Sequence, residues 1–377
     1  MFVTVDDRPT RRSLVTFHVR HTGVTHSDEK GNDLMNSTDL PNNQHDTETI
    51  HDLGELIAAT PHLLGFHPVE SLVVISLTTD TPATVNRILR VDLPKPSDRA
   101  SVAAELTRVV ARQSLTRVML VVVGQASAAP RLPHRALVDQ CSRRFTQAGI
   151  TVVEQLWIGT TRDSGLWRCY AHRACGGVMP DPRATTLAAT LVHAGIVTDA
   201  RREDRVVTLA PAPTDVLTRR AALLANQPAN TDPDQSRRDL ALVITAIDRA
   251  AAGVLPESDQ DFVDLARALA NHCVRDAFVS VDDPNREQAA TVLWQCLTRG
   301  TPPRQRAEPA VLCAFAAYSQ GDGVLAGIAL DEALAAYPLH RLANMLHSVL
   351  TAGVSPDHVR AFGAEAAARA RANLGTT

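Results

Sequence analysis

The sequence predicts an α/β domain on a mixed sheet with parallel strands at its centre, followed by an all-α domain that is partly tetratricopeptide-like. Three observations predict it. Strand and helix signals alternate from residue 50 to about 210, the pattern of a sheet with helices packed on it. The runs Leu72-Val73-Val74-Ile75 and 118–123 are solidly apolar, as in strands covered on both faces. From about residue 214 every periodic segment is helical. The expected domains are therefore 50–212 and 213–377, preceded by a segment 1–49. That segment is polar, rich in Asp, Asn, Thr and His, and is expected to be mostly disordered. Only Leu14-Val15-Thr16-Phe17 in it reads as a strand, and Met35 stands as an alternative start of the native product.

The α/β domain opens at Asp52, whose partner Glu55 three residues on forms a capping pattern. Leu53, Leu56, Ile57 and Thr60 fall at helical spacing, and Pro61 is expected to end the helix. Gly65 suits a positive φ at the turn, and Phe66 anchors it in the core. A strand over 72–77 pairs as a hairpin with a second over 87–93. A helix over 96–112 follows, buried through Val102, Leu106, Val109 and Val110. Next come a strand over 118–123, a helix over 133–148 and a strand over 150–158. Residues 168–172 read as a further strand, joined by a hairpin through Asp163-Ser164-Gly165, and a helix over 182–194 closes the unit.

Seven helices are expected after the polar stretch 226–235: 236–252, 258–279, 285–299, 308–319, 323–336, 340–352 and 356–373. Asp283-Pro284 and Ser355-Pro356 each read as a cap with proline at the first helical position. Gly300 and Gly353 stand where C-terminal cap glycines belong. Ala326, Leu330, Ala333 and Pro338 match the second half of a tetratricopeptide repeat, though no second copy follows.

The stretch Leu56-Ile57-Ala58-Ala59, Pro61, Leu63-Leu64-Gly65-Phe66, Pro68, Ser71-Leu72-Val73-Val74 resembles the opening motif of an actinobacterial family, domain of unknown function number 4192. Arg90-Val91-Asp92-Leu93-Pro94 is similar to that family's next strand, Trp167-Arg168-Cys169-Tyr170 with Cys175 to its Trp/Cys segment, and Gly321-Asp322-Gly323 with Ala326 and Ala329 to its C-terminal motif. The resemblance covers roughly residues 50–362 and carries over no reaction, substrate or catalytic residue.

Composition excludes several classes of function. The net charge of −3 argues against nucleic acid, and 4% aromatics gives little base-stacking surface. Lys30 and Lys95 are the only lysines, which with the abundant alanine marks a GC-rich genome. Six scattered cysteines form no secreted disulfide pattern, and no apolar run approaches a membrane span. A soluble cytoplasmic protein is expected, with no cofactor.

Candidate site residues crowd the opening corner. His67 near Ser71 has the makings of a base and a nucleophile. Ser71, however, precedes a strand and lacks the flanking glycines of a hydrolase elbow. The plainer reading is that Glu70 and Ser71 bond the backbone at a turn while His67 is satisfied locally. Arg90 and Asp92 point to one face of their strand, as ligands for a small polar molecule or as an internal ion pair. Cys169, His172 and Cys175 have ligand-like spacing but no fourth partner, so no metal is expected. Gly321-Asp322-Gly323 lacks the preceding strand and the Lys-Ser of a phosphate loop.

Two functions follow. The first is a non-catalytic ligand-binding, scaffold or regulatory protein whose helical domain meets a protein partner. The second is a hydrolase or transferase with a site at His67, Ser71, Arg90 and Asp92.

Overall fold

A computed structural model describes residues 2–5, 15–18, 47–50, 52–77, 85–112, 115–125, 131–193, 198–226, 233–281 and 283–375. It divides into two units, Met1–Arg201 and Arg202–Thr377. In the first unit, β1 (Phe2–Val5), β2 (Val15–His18) and β3 (Thr47–Ile50) form an antiparallel three-stranded sheet in the order β1-β2-β3. Strand β2 lies on the one stretch of 1–49 with a strand pattern. Strands β1 and β3 were not expected and correct the reading of 1–49 as mostly disordered where they lie, and the remainder of that expectation falls outside the described residues.

Helix α1 (Leu53–Leu64) starts at Asp52, whose side chain accepts from the Glu55 N–H at 2.9 Å. It does not end at Pro61, as the sequence suggested, but runs one turn further to Gly65, which has φ 76°. An interior proline costs about 3 kcal/mol through its lost hydrogen bond and ring clash. Burial of the whole face Leu56–Pro61 offsets that cost. Past Gly65, Phe66 is 1% exposed, the anchor its position implied.

The main sheet has six strands in the order β5-β4-β6-β7-β8-β9. They are β4 (Ser71–Leu77), β5 (Val85–Asp92), β6 (Arg117–Val123), β7 (Thr151–Ile158), β8 (Gly165–Cys169) and β9 (Gly176–Met179). Strand β4 pairs antiparallel with both β5 and β6. Strands β6 and β7 are parallel and central, and the rest of the sheet is antiparallel. Helices α2 (Arg99–Ala111) and α3 (Arg135–Gln147) cover one face, where Leu106, Val110, Val138 and Phe145 pack on Leu72, Val74, Leu120 and Val122.

Strand β9 is not among the expected elements, and it carries the pair Gly176-Gly177. The glycines are there because Trp167 lies against them: a Cβ on Gly177 would stand 3.1 Å from the Trp167 Nε1. The expected helix over 182–194 is a short 3₁₀ turn (Pro182–Ala184) followed by α4 (Thr186–His193).

The second unit begins at Arg202. Helix α5 (Arg202–Thr208) belongs to it because the Arg205 guanidinium grips Asp322 with two bonds of 3.1 and 2.7 Å, and Leu209 is fully buried in the helical core. Then come α6 (Thr214–Ala225), α7 (Pro233–Ala251), α8 (Asp259–Ala270), α9 (His272–Asp276) and α10 (Pro284–Gly300). The unit ends with α11 (Pro303–Ser319), α12 (Gly323–Ala336), α13 (Arg341–Ala352) and α14 (Pro356–Asn373).

Three expectations change here. The helix over 258–279 breaks at Asn271, whose side chain caps α9 by accepting from the Cys273 N–H at 3.0 Å. Helix α11 starts at Pro303, so Pro309 lies inside it and is buried. Gly300 is the last helical residue of α10, and its small size is needed because a Cβ would lie 2.1 Å from a Phe262 ring carbon. Helix α11 is buried on nearly all sides from Arg306 to Ser319 and is the centre of the unit, packed on α8, α10, α12, α13 and α14. Among the described residues no helix is long and apolar enough to cross a membrane.

Candidate functional site

The opening corner is held by backbone. The Asp199 N–H donates to the Gly65 carbonyl at 2.9 Å, and the His67 N–H donates back to the Asp199 carbonyl at 3.1 Å. Glu70 has φ 42°, which turns the chain into β4. Its carboxylate accepts from the Gln125 N–H at 2.9 Å, just past the carboxyl end of β6.

The five sequence candidates separate into distinct groups. Ser71, Arg90 and Asp92 form one chain of bonds. The Arg90 Nε donates to the Ser71 hydroxyl at 2.8 Å, the hydroxyl donates to the Val69 carbonyl at 2.7 Å, and the guanidinium meets Asp92 at 2.5 Å. Ser71 is 0% exposed, so its hydroxyl is buried and bonded in both senses. The same guanidinium lies 5.8 Å from the centre of the Phe66 ring, a cation–π contact. Strand register explains the grouping, because Ser71 pairs with Asp92 and Val73 with Arg90 across β4 and β5. Glu70 stands apart on Gln125. No hydrogen bond joins His67 to Ser71.

His67 belongs to a different cluster. Its Nδ1 lies 2.8 Å from the Thr161 carbonyl. A carbonyl only accepts, so Nδ1 carries the proton, and in the neutral ring Nε2 keeps its lone pair. Nε2 has no hydrogen-bond partner among the described residues. Burial lowers the His67 pKa below 6.5, and the charges of His62, Arg162 and Arg183 lower it further, against the Thr161 carbonyl.

His62 sits beside it with both ring nitrogens engaged, Nδ1 by the Thr198 hydroxyl at 2.7 Å and Nε2 by the Pro182 carbonyl at 2.8 Å. Burial also lowers the His62 pKa. Arg162 donates to the Ala200 carbonyl at 3.1 Å, and its guanidinium has no carboxylate partner among the described residues. Arg183 is paired with Asp181 and Asp163. The arrangement is a neutral imidazole with one free basic nitrogen beside an unneutralised guanidinium.

The family model for a domain of unknown function (DUF4192) matches residues 54–357. The chain belongs to the DUF4192 family. No curated protein and no solved structure matches it. The motif segments fall at informative places in the DUF4192 fold. The opening motif is α1, the corner and β4; the Arg90 segment is the end of β5; the Trp/Cys segment is the end of β8 and the turn that leads into β9. The Gly321 segment is the α11–α12 turn, where Asp322 caps α12 by accepting from the Leu325 N–H at 2.9 Å.

Cys169 ends β8 buried, and its sulfur accepts from the Ala171 N–H at 3.3 Å. Cys175 faces it across the hairpin, where the Cys169 N–H donates to the Cys175 carbonyl at 3.1 Å. Burial and Cys169 push the Cys175 thiol up to about 11. Among the described residues no three His, Cys, Asp or Glu side chains are placed to hold a metal ion.

Sequence reasoning missed Thr161, Arg162 and Arg183 as company for His67. They arrive from the β7–β8 turn and the segment after β9, and no spacing in the sequence links them. His62 stands five residues before His67 across Gly65, in the last turn of α1, and was not among the sequence candidates.

Proposed function

We propose that this DUF4192 chain is a cytoplasmic, non-catalytic binding protein whose α/β unit takes a small anionic ligand at His67 and Arg162. In this reading the α11–α12 hairpin of the helical unit is a tetratricopeptide-like element that meets a protein partner. The preference for arginine over lysine supports an actinobacterial source.

The observation that carries the ligand reading is the fixed tautomer of His67. With Nδ1 donating to Thr161, the free Nε2 is the nitrogen that would meet a ligand. To donate to an anion it must first take up a proton. Arg162, without a carboxylate partner, supplies the positive field that draws the anion in. The alternative hydrolase reading is weaker, because the Ser71 hydroxyl has its proton on a carbonyl and its lone pair under Arg90.

Isothermal titration of the full chain with inorganic phosphate at pH 7, in two buffers of different ionisation enthalpy, tests the reading. The expected result is binding with proton uptake close to one per site. His67→Gln should lose both the uptake and most of the affinity. Binding without proton uptake, or unchanged in His67→Gln, would overturn it.

A further inference from the structure

A second site lies in the helical unit. Helices α6, α8 and α10 border a cleft of about 320 Å³, at the small end of the range for ligand pockets. Its apolar lining includes Leu255, Phe262 and Val292. Arg220 is 7% exposed and reaches into this lining. Its Nε donates to Asp259 at 2.8 Å, its Nη1 donates to the Gly300 carbonyl at 2.7 Å, and its guanidinium stacks 3.6 Å from the centre of the Phe262 ring. Its Nη2 makes no hydrogen bond to the described residues. That nitrogen is not among the buried unpartnered donors, so it faces solvent and a ligand can take it without breaking a bond inside the protein.

A second cation converges on the same place. Val292, Cys296 and Arg299 follow at helical spacing along α10, so one stripe of that helix lines the cleft. Arg299 is exposed and has no ion-pair partner among the described residues. Both guanidinium groups act on the Cys296 thiol: burial raises its pKa, and Arg299 and then Arg220 pull it back. The cleft thus brings together two guanidinium groups, one of them paired with Asp259, and the apolar side chains of Leu255, Phe262 and Val292. Besides the two arginines, Gln295 is the one lining residue with a side-chain amide donor, and Ala212, Leu255, Phe262 and Val292 make the rest of the wall apolar, which favours an anion that carries a hydrocarbon body. A planar monoanion fits the donor geometry of a guanidinium better.

We propose that this cleft binds a monocarboxylate with an apolar body, its carboxylate on Arg220 Nη2 and Arg299 and its hydrocarbon on Leu255, Phe262 and Val292. The site is separate from the His67 corner and does not depend on it. The probe is octanoate, with octanamide as its uncharged counterpart, titrated into the full chain by calorimetry. Octanoate should bind one per chain and at least about tenfold more tightly than octanamide, the worth of one charge-assisted hydrogen bond. Octanoate should also slow the alkylation of Cys296 by iodoacetamide, read by peptide mapping, and leave Cys273 unaffected.

Arg299→Gln removes an exposed group with no internal partner, so the variant should melt as the parent does. It should bind octanoate about tenfold more weakly and octanamide equally well. Val292→Glu, at a site 38% exposed, places a carboxylate in the cleft and should abolish octanoate binding. No binding of octanoate, equal affinity for octanamide, unchanged affinity in Arg299→Gln, or Cys296 left unprotected would each overturn the proposal.

Discussion

Ser71→Ala tests whether the first residue of β4 is a structural latch. The substitution removes the acceptor of the Arg90 Nε bond at 2.8 Å and the donor of the Val69 carbonyl bond at 2.7 Å. The charge-assisted bond contributes about 1.5–3 kcal/mol and the neutral one about 1 kcal/mol. Two features reduce the sum. The Arg90 side chain is 18% exposed, so water can reach the freed Nε, and Val69 keeps a long bond of 3.4 Å from Arg90 Nη2. The expected loss is about 2 kcal/mol from the α/β unit.

Hydrogen exchange of β4 and β6 amides, followed by mass spectrometry on the full chain, isolates that unit from the helical one. Protection should fall by a factor of about 30, and the unit's melting point by about 4–8 °C. A cycle with Arg90→Gln should show a coupling of about 1 kcal/mol or more. A Ser71→Ala chain within about 0.5 kcal/mol of the parent, or a cycle without coupling, would refute the latch.

Two more expectations rest on buried polar groups. His62 and His67 have folded pKa values below 6.5, so the unfolded chain binds protons that the native chain refuses. Their contribution is complete above about pH 6.5 and is lost as pH falls toward the folded values. The urea midpoint of the α/β unit should therefore drop between pH 7.5 and 5, and less steeply in a His62→Gln, His67→Gln double variant; a flat profile in the parent would contradict this. In the helical unit, Glu308 joins Arg275 at 2.8 Å to His340 at 3.0 Å. Burial pushes the Glu308 carboxyl up, but bonds from His340 and Arg275 outweigh it and hold the group below its usual range. Glu308→Ala takes away the carboxylate shared by Arg275 and the buried His340, while Asp276 still holds the guanidinium at 2.7 Å, and should cost about 2 kcal/mol in a melting experiment.

Much of the fold was legible because it rests on local periodicity. The apolar runs of β4 and β6 fixed the middle of the sheet, and Asp283, Ser355 and Gly353 marked helix ends where their caps are found. The misreadings came where tertiary packing overrode a local rule. Pro61 and Pro309 sit inside helices because their surroundings bury them, and Gly176-Gly177 is a strand because Trp167 covers it.

The candidate site was only half legible. Strand register, which alternation implies, did bring Ser71, Arg90 and Asp92 together. The company of His67 and the cleft at Arg220 are assembled from segments far apart in the chain. No periodicity records such meetings, and the charge pattern of single helices gave no hint of Arg220 stacked on Phe262.

The position of β4 has a consequence for how the α/β unit is reached from the unfolded chain. Ser71 pairs on one side with Asp92, through a short hairpin, and on the other with Val123, across the whole of β5 and α2. The hairpin β4–β5 and the crossover β6–α3–β7 are each local and close small loops. Their union along β4–β6 must close a much longer one before any contact compensates for the lost chain entropy. In the helical unit, α10, α11 and α12 pack on their neighbours in sequence. The helical unit should thus refold first after dilution from denaturant. A substitution in the β4–β6 seam, such as Val74→Ala, should slow the α/β phase, whereas one in β9 should speed only its unfolding.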